Sequence, residues 1–353
     1  MKKTIIAASL TALAMGPGFV GASEHAVEGQ PITVDGKGDL SPNSEMKLIG
    51  GWHYDKNTEK NDLDHSASNT NITLTGGTFD ELIGGNHIKQ PTAGDYDLKI
   101  GNTHVTLSGE GSVTYFIGGS KANNSDNTNL TTGDVTAVIS GGTVTGSAMS
   151  WGNKDKISVV GGSYVKSTGA GGGTPASTTA ETGNISLSIS GGTFTGAVFG
   201  GSVADNYGEK QAESDSTKPD LSIKTGVSSL LIEGGTFQSS DPENPKNYDF
   251  GVFGGSAALG QKSSTESSGS SVTIEAKKVI DIKGRVVGGD LLGFGGSDEN
   301  AASSKINGST SVSITGSEKI ETSESVIGGS LLHLKLDGES SSSSISGTSS
   351  VFV

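Results

Sequence analysis

The side chains able to do chemistry in this 353-residue chain are few and scattered. Arg285 is the sole arginine. A basic residue beside calcium-binding carboxylates is what a polysaccharide lyase uses to take a proton, yet Arg285 lies in the core-like phrase Lys283-Gly-Arg-Val-Val287, which suits a capped bend or a solvated position. His53, His65, His87, His104 and His333 lack the spacing that sets two histidines on one face of a helix or strand to grip a metal. Asp95 with Asp97, and Asp298 with Glu299, are paired carboxylates, but no third partner converges on either pair, so they read as solvated loop charge. Asp290, Asp298 and Glu299 are candidate ligands for a loop calcium ion, although Gly288 to Asn300 departs from the Gly-Gly-x-Gly-x-Asp repeat at its fourth position.

Nucleophile motifs fare no better. Neither Gly-Asp-Ser-Gly nor Gly-x-Ser-x-Gly occurs, and many serines lie in low-complexity runs such as Ser340 to Ser344. Gly38-Asp39-Leu40-Ser41 is a scrambled esterase tetrapeptide, and Lys37-Gly38-Asp39 a short integrin-type tripeptide; both are chance-level matches. Trp52, Tyr54 and Trp151 are the aromatic side chains available for sugar or protein contact, with core packing the competing use for Trp52. The expectation is a chain with no catalytic residue, no bound cofactor and no metal site.

Composition narrows the class. The formal charge is −14, and the two lysines of a leader segment do not persist in the mature chain. No cluster of basic residues exists to neutralise phosphates, so nucleic acid is not an expected partner. Lys2 and Lys3, the apolar run Ile5 to Met15, the break at Pro17-Gly18 and the small residues Val20-Gly21-Ala22 form an export signal, with cleavage before Ser23. Residues 1–22 are therefore set aside, 23–45 read as an N-terminal cap or leader, and 46–353 as the folded repeat domain. Cysteine is absent, so packing and backbone hydrogen bonds must hold an exported fold together.

What must position any functional group is a repeat. Gly-Gly pairs close successive copies at Gly50/Gly51, Gly84/Gly85, Gly118/Gly119, Gly161/Gly162, Gly200/Gly201, Gly254/Gly255, Gly288/Gly289 and Gly328/Gly329, in steps of 34, 34, 43, 39, 54, 34 and 40 residues. A period in this range with variable gaps means stacked units. Within a unit, Ile185, Leu187 and Ile189 alternate with Ser186, Ser188 and Ser190; Ile72/Leu74, Val105/Leu107, Val272/Ile274 and Val312/Ile314 repeat the pattern. Period-two alternation marks a strand with one buried face. A glycine pair such as Gly191/Gly192 then turns the chain, where a positive φ costs glycine little. A second short strand carries Phe79, Val144, Phe194 or Phe237, and a third carries an apolar pair such as Val198-Phe199 or Val252-Phe253.

Three strands and three bends per unit predict an all-β, right-handed parallel β-helix of about eight rungs, its Phe, Ile and Val residues stacked in ladders. An antiparallel sandwich is the competing arrangement. Insertions follow the closing glycines, at Lys121 to Asp134, Tyr164 to Gly183, Val203 to Gly226 and Ala257 to Ser270, and loops at one corner share a face where binding is to be sought. Gln238 to Asp249 is an excursion at another corner. The end, Ile345 to Val353, parallels Ile306 to Ile314 and reads as a chain that stops mid-rung.

An export signal, an acidic cysteine-free chain and Gly-rich β-helical repeats together resemble the passenger region of a Gram-negative autotransporter, particularly the adhesin-like members. The resemblance is one of pattern and covers the mature chain. It implies display at the cell surface or secretion, contact with a host or neighbouring-cell surface protein or glycan, and membrane attachment only through a C-terminal β-barrel outside this sequence. A carbohydrate-active enzyme on the same scaffold and a purely structural stalk are the alternatives.

Overall fold

The structure, a computed structural model, describes residues 24–25, 31–35, 47–51, 53–54, 69–89, 96–123, 128–148, 156–167, 177–206, 220–239, 251–293, 302–333 and 341–353. The signal segment, His65, Asp95, Trp52, Trp151, Asp298 and Glu299 lie outside the described residues, as do the tetrapeptide and tripeptide near Gly38. Every element among those described is a β-strand.

One unit illustrates the rest. Thr178–Thr182 and Ile185–Ile189 enter a broad 14-stranded sheet, Thr193–Thr195 and Ala197–Phe199 a second, 15-stranded sheet, and Val203–Asp205 a narrow 8-stranded sheet. Each strand pairs with its counterparts one unit before and one unit after, and the pairing is parallel: Ile185–Ile189 lies between Val135–Ile139 and the second half of Leu221–Ile232. The one antiparallel pair among the described strands joins Ser147–Ala148 to Lys156–Val160. Hairpins are thus not the organising unit, which removes the sandwich.

The in-register pairing converts period-two alternation into continuous columns. Ile72, Val105, Ala137, Leu187, Leu230, Val272 and Val312 form one; Leu74, Leu107, Ile139, Ile189, Ile232, Ile274 and Ile314 form the next. The phenylalanines expected inside are inside: Phe79, Phe194, Phe237, Phe199 and Phe253 are all buried. Phe194 stacks on Phe237 and Phe199 on Phe253, each pair with ring centroids 4.9 Å apart, the spacing of neighbouring strands.

The expectation of three strands per unit is corrected upward: the later units have five, while in the units opened by Thr70–Gly76 and Thr103–Leu107 the second and third strands are one, Thr78–Ile83 and Ser112–Ile117, which leaves four. Lys121–Asn123 with Thr128–Thr132, Tyr164–Lys166 with Thr178–Thr182, and Val203–Asp205 with the first half of Leu221–Ile232 are strands inside stretches read from sequence as loop insertions. Their inward positions are Thr, Ser and Ala with a few aliphatics: Thr178, Ala180 and Thr182 are buried while Thr179 and Glu181 face outward. A hydropathy pattern cannot register a strand whose buried face is built of hydroxyls. The stretches 55–68, 90–95, 124–127, 168–176, 207–219, 294–301 and 334–340, outside the described residues, each link a narrow-sheet strand to the next broad-sheet strand, and 149–155 and 240–250, the latter overlapping the Gln238 to Asp249 excursion, also lie outside them. The cap segment is likewise continuous with the sheets: Glu24–His25 pairs with Leu48 and Ile49, and Pro31–Asp35 with the strand Thr70–Gly76.

The strands of the three sheets wrap three apolar lobes. Leu82 belongs to the lobe between the broad and second sheets, and its neighbour Ile83 to the lobe between the second and narrow sheets; Phe116/Ile117 and Val198/Phe199 divide in the same way. Consecutive apolar residues mark a strand buried on both faces. A third lobe packs Ile88, Ala122, Val165 and Ala204 of the narrow sheet on Leu98, Leu130, Ala180 and Ile223 of the broad sheet.

Candidate functional site

Two sets of glycines do different work. Gly77, Gly142, Gly192 and Gly235 have positive φ (82° at Gly142), so these pairs form the left-handed turns expected of them. The closing glycines do not. At Gly200 an added Cβ would lie 2.6 Å from the carbonyl oxygen of Gly254, and at Gly201 2.5 Å from Oγ of Ser256. The same clash recurs along both columns from Gly50/Gly51 to Gly288/Gly289, so the closing pair is there for close approach of backbones.

That approach serves the residue after the pair. Asn86, Ser120, Ser163, Ser202, Ser256, Asp290 and Ser330 form a ladder in which each backbone N–H donates to the next side-chain oxygen: Asn86 to Ser120 (3.1 Å), Ser120 to Ser163 (3.2 Å), Ser163 to Ser202 (3.0 Å), Ser202 to Ser256 (3.1 Å), Ser256 to Asp290 (2.7 Å) and Asp290 to Ser330 (3.2 Å). The inward threonines of the strands missed from sequence complete it, with Thr132 2.8 Å from Ser120, Thr182 2.8 Å from Ser163, and Thr225 donating to Ser202 at 3.2 Å. Buried backbone and hydroxyl groups are thereby satisfied, as burial requires. A second ladder, of Asn69, Asn102, Asp134 and Asn184, runs along the break in the broad sheet, each side-chain oxygen accepting from the next unit's backbone N–H.

Asp290 is the one carboxylate in the buried ladder. Its Oδ1 accepts from the N–H of Ser256, and its Oδ2 from the hydroxyls of Thr265 (3.1 Å) and Ser304 (2.5 Å). Removal from water pushes its pKa up, against the pull of these three donors. These oxygens face protein donors in a fully buried position, so the loop calcium role is not what this side chain serves.

Among the described residues, the largest gathering of titratable groups lies in the lobe between the second and narrow sheets. Strand register stacks His53, His87, Lys121 and Tyr164 in one column, and Lys47, Glu81 and Tyr115 in the facing one. Lys121 Nζ donates to Glu81 Oε1 at 2.8 Å and lies 4.7 Å from the centroid of the Tyr115 ring; Lys47 Nζ is 3.7 Å from the same carboxylate oxygen. The Tyr164 hydroxyl donates to Asp205 Oδ2 at 2.9 Å. Burial lowers the pKa of Lys121, with Glu81 opposing, while burial and then Asp205 raise that of Tyr164. Lys47, Glu81, Lys121, Tyr164 and Asp205 are all buried, which places this cluster inside the protein.

The sequence candidates separate accordingly. Arg285 opens the strand that follows the bend at Lys283-Gly284 and pairs with Glu324, in the corresponding bend of the next unit, at 2.9 Å. Asp97 pairs with Lys99 at 3.1 Å on the outer face. His104 lies on the outer face of the broad sheet, Tyr54 and His333 are in narrow-sheet strands, and no three His, Cys, Asp or Glu side chains meet as a metal-binding group among the described residues. Sequence reasoning did not unite His53 with His87. Each stands two places after a closing glycine, as do Lys121 and Tyr164, and that shared offset is the signal that finds the column. Searches with protein-family models, curated proteins and solved structures return no match to this chain.

Proposed function

We propose that this chain is the exported, surface-displayed passenger of an autotransporter-type protein, a right-handed parallel β-helix that presents binding loops for adhesion or surface contact. About eight rungs, in keeping with the eight strands of the narrow sheet, correspond to a rod on the order of 40 Å long. Right-handedness follows the near-universal preference of parallel crossover connections. The export signal, the lack of cysteine and the acidic charge suit a chain that crosses membranes unfolded and stays soluble outside. Attachment to the outer membrane would come through a barrel outside these residues.

The observation that carries the binding role is the placement of variability. The sheets keep parallel register from unit to unit apart from shifts at Val34/Asp35 and Ile157/Val159, whereas the joins between narrow and broad sheets change length along one corner of the coil, with the Gln238 to Asp249 excursion at another. Variable segments on a rigid scaffold are where recognition concentrates. The partner class is a host or neighbouring-cell surface protein or glycan; the acidic surface disfavours nucleic acid.

The test is binding of the exported chain to host cells and to an immobilised glycan panel, beside a variant in which 168–176 and 207–219 are replaced by Gly/Ser segments of equal length. Saturable binding lost in the variant supports adhesion. Release of oligosaccharide from a polysaccharide would favour the enzyme, and neither binding nor turnover would favour the stalk.

A further inference from the structure

We propose that His87 makes the N-terminal part of the coil a pH-sensitive segment, closed at neutral pH and opened by mild acid while the later units stay folded. The His87 side chain is fully buried, its ring stacks on His53 with centroids 4.8 Å apart, and neither ring nitrogen has a hydrogen-bond partner. The groups facing it are His53 from the preceding unit, Lys121 from the following unit, Lys47, Glu81 and Tyr115 from the second sheet, and Lys89 on its own strand. Three of these are lysines, and the carboxylate of Glu81 already serves Lys121 and Lys47 through its Oε1.

A proton on His87 would therefore add a cation to a dry, already cationic lobe. Desolvation, followed by Lys121, Lys47, His53 and Lys89, holds the imidazole well below its usual range. The folded pKa is depressed below the unfolded value of about 6.5. The stabilisation is complete above that value and is lost as pH falls from it toward the folded pKa; with one proton taken up on opening, the opening constant rises about tenfold per pH unit.

The effect is confined by sequence and by topology. The His53, His87, Lys121 and Tyr164 column continues as Val203, Ala257, Leu291 and Leu331, so this column is apolar and carries no titratable group in the later units. Stacked units contact only their neighbours, which permits one end to open alone.

The experiment is amide hydrogen exchange of the full exported chain between pH 7.5 and 5, expressed as protection relative to the intrinsic rate at each pH. Expected is loss of protection of about tenfold per pH unit below about 6.5 in 78–89 and 112–123, with 251–259 and 285–293 unchanged. His87→Gln should flatten that dependence. NMR titration of the His87 ring in the unsubstituted protein gives a reading that does not depend on the variant folding. Uniform protection across the pH range, equal losses in both regions, or a His87 that titrates near 6.5 without opening would each overturn the proposal.

Discussion

The backbone N–H of Ser163 donates to Oγ of Ser202, a residue 39 positions further along, at 3.0 Å inside the protein. Ser202 repeats the act toward Ser256, 54 positions on, at 3.1 Å. The unequal steps and equal geometry show what the variable gaps leave untouched: the register of the ladder. Ser202→Ala removes the acceptor for the Ser163 N–H and for the Thr225 hydroxyl, leaving buried donors unsatisfied. The expected cost is roughly 1–3 kcal/mol, read by denaturant unfolding, while Ser186→Ala on the exposed face should change stability by less than about 0.5 kcal/mol.

Asp290 occupies a serine position of the same ladder and carries a charge there. Its folded pKa is raised above the unfolded value of about 3.9, so the folded state holds the proton more tightly. Stability from this group is greatest in acid, falls as pH rises from the unfolded pKa through the folded one, and remains diminished at neutral pH. Asp290→Asn removes the charge and supplies a side chain the ladder already accepts at Asn86. At pH 7 the variant should melt at a higher temperature than the parent, and the difference should shrink toward pH 4. A lower melting temperature at pH 7 would mean that the three donors outweigh burial.

The stacked phenylalanines predict local rather than global damage. Phe194 touches Phe237 in the next unit, and Phe194→Ala should cost roughly 3–5 kcal/mol in its own neighbourhood. Hydrogen exchange should rise in 185–199 and 230–238 and remain unchanged in 78–89. Cooperative loss of the whole fold from this one change would contradict nearest-neighbour stacking.

The sequence disclosed these units unevenly, for physical reasons. Ile185, Leu187 and Ile189 announce their strand because an aliphatic buried face leaves a hydropathy alternation. Thr178, Ala180 and Thr182 are just as buried but have no such contrast, and their strand reads as a loop. Thr182 is tolerated inside because Ser163 meets its hydroxyl at 2.8 Å, a partner visible only once register is known. The closing glycines were legible as punctuation, yet their reason is the carbonyl of the next glycine pressed against them. The polar cluster around Lys121 stayed hidden because its members are a repeat apart, and distance along the chain conceals what register brings together.

The most direct test of the stacked-unit account uses the absence of cysteine, which lets pairs of spin labels be placed at will. His104, Thr136, Ser186, Ser229, Ser271 and Ser311 occupy one outward column in consecutive units. With one label at His104 and the second moved along this column, pulsed electron resonance should report separations that grow by about 4.8 Å per unit, reaching about 24 Å at Ser311. Separations that do not increase steadily with unit number would contradict parallel, in-register stacking and the functional reading built on it.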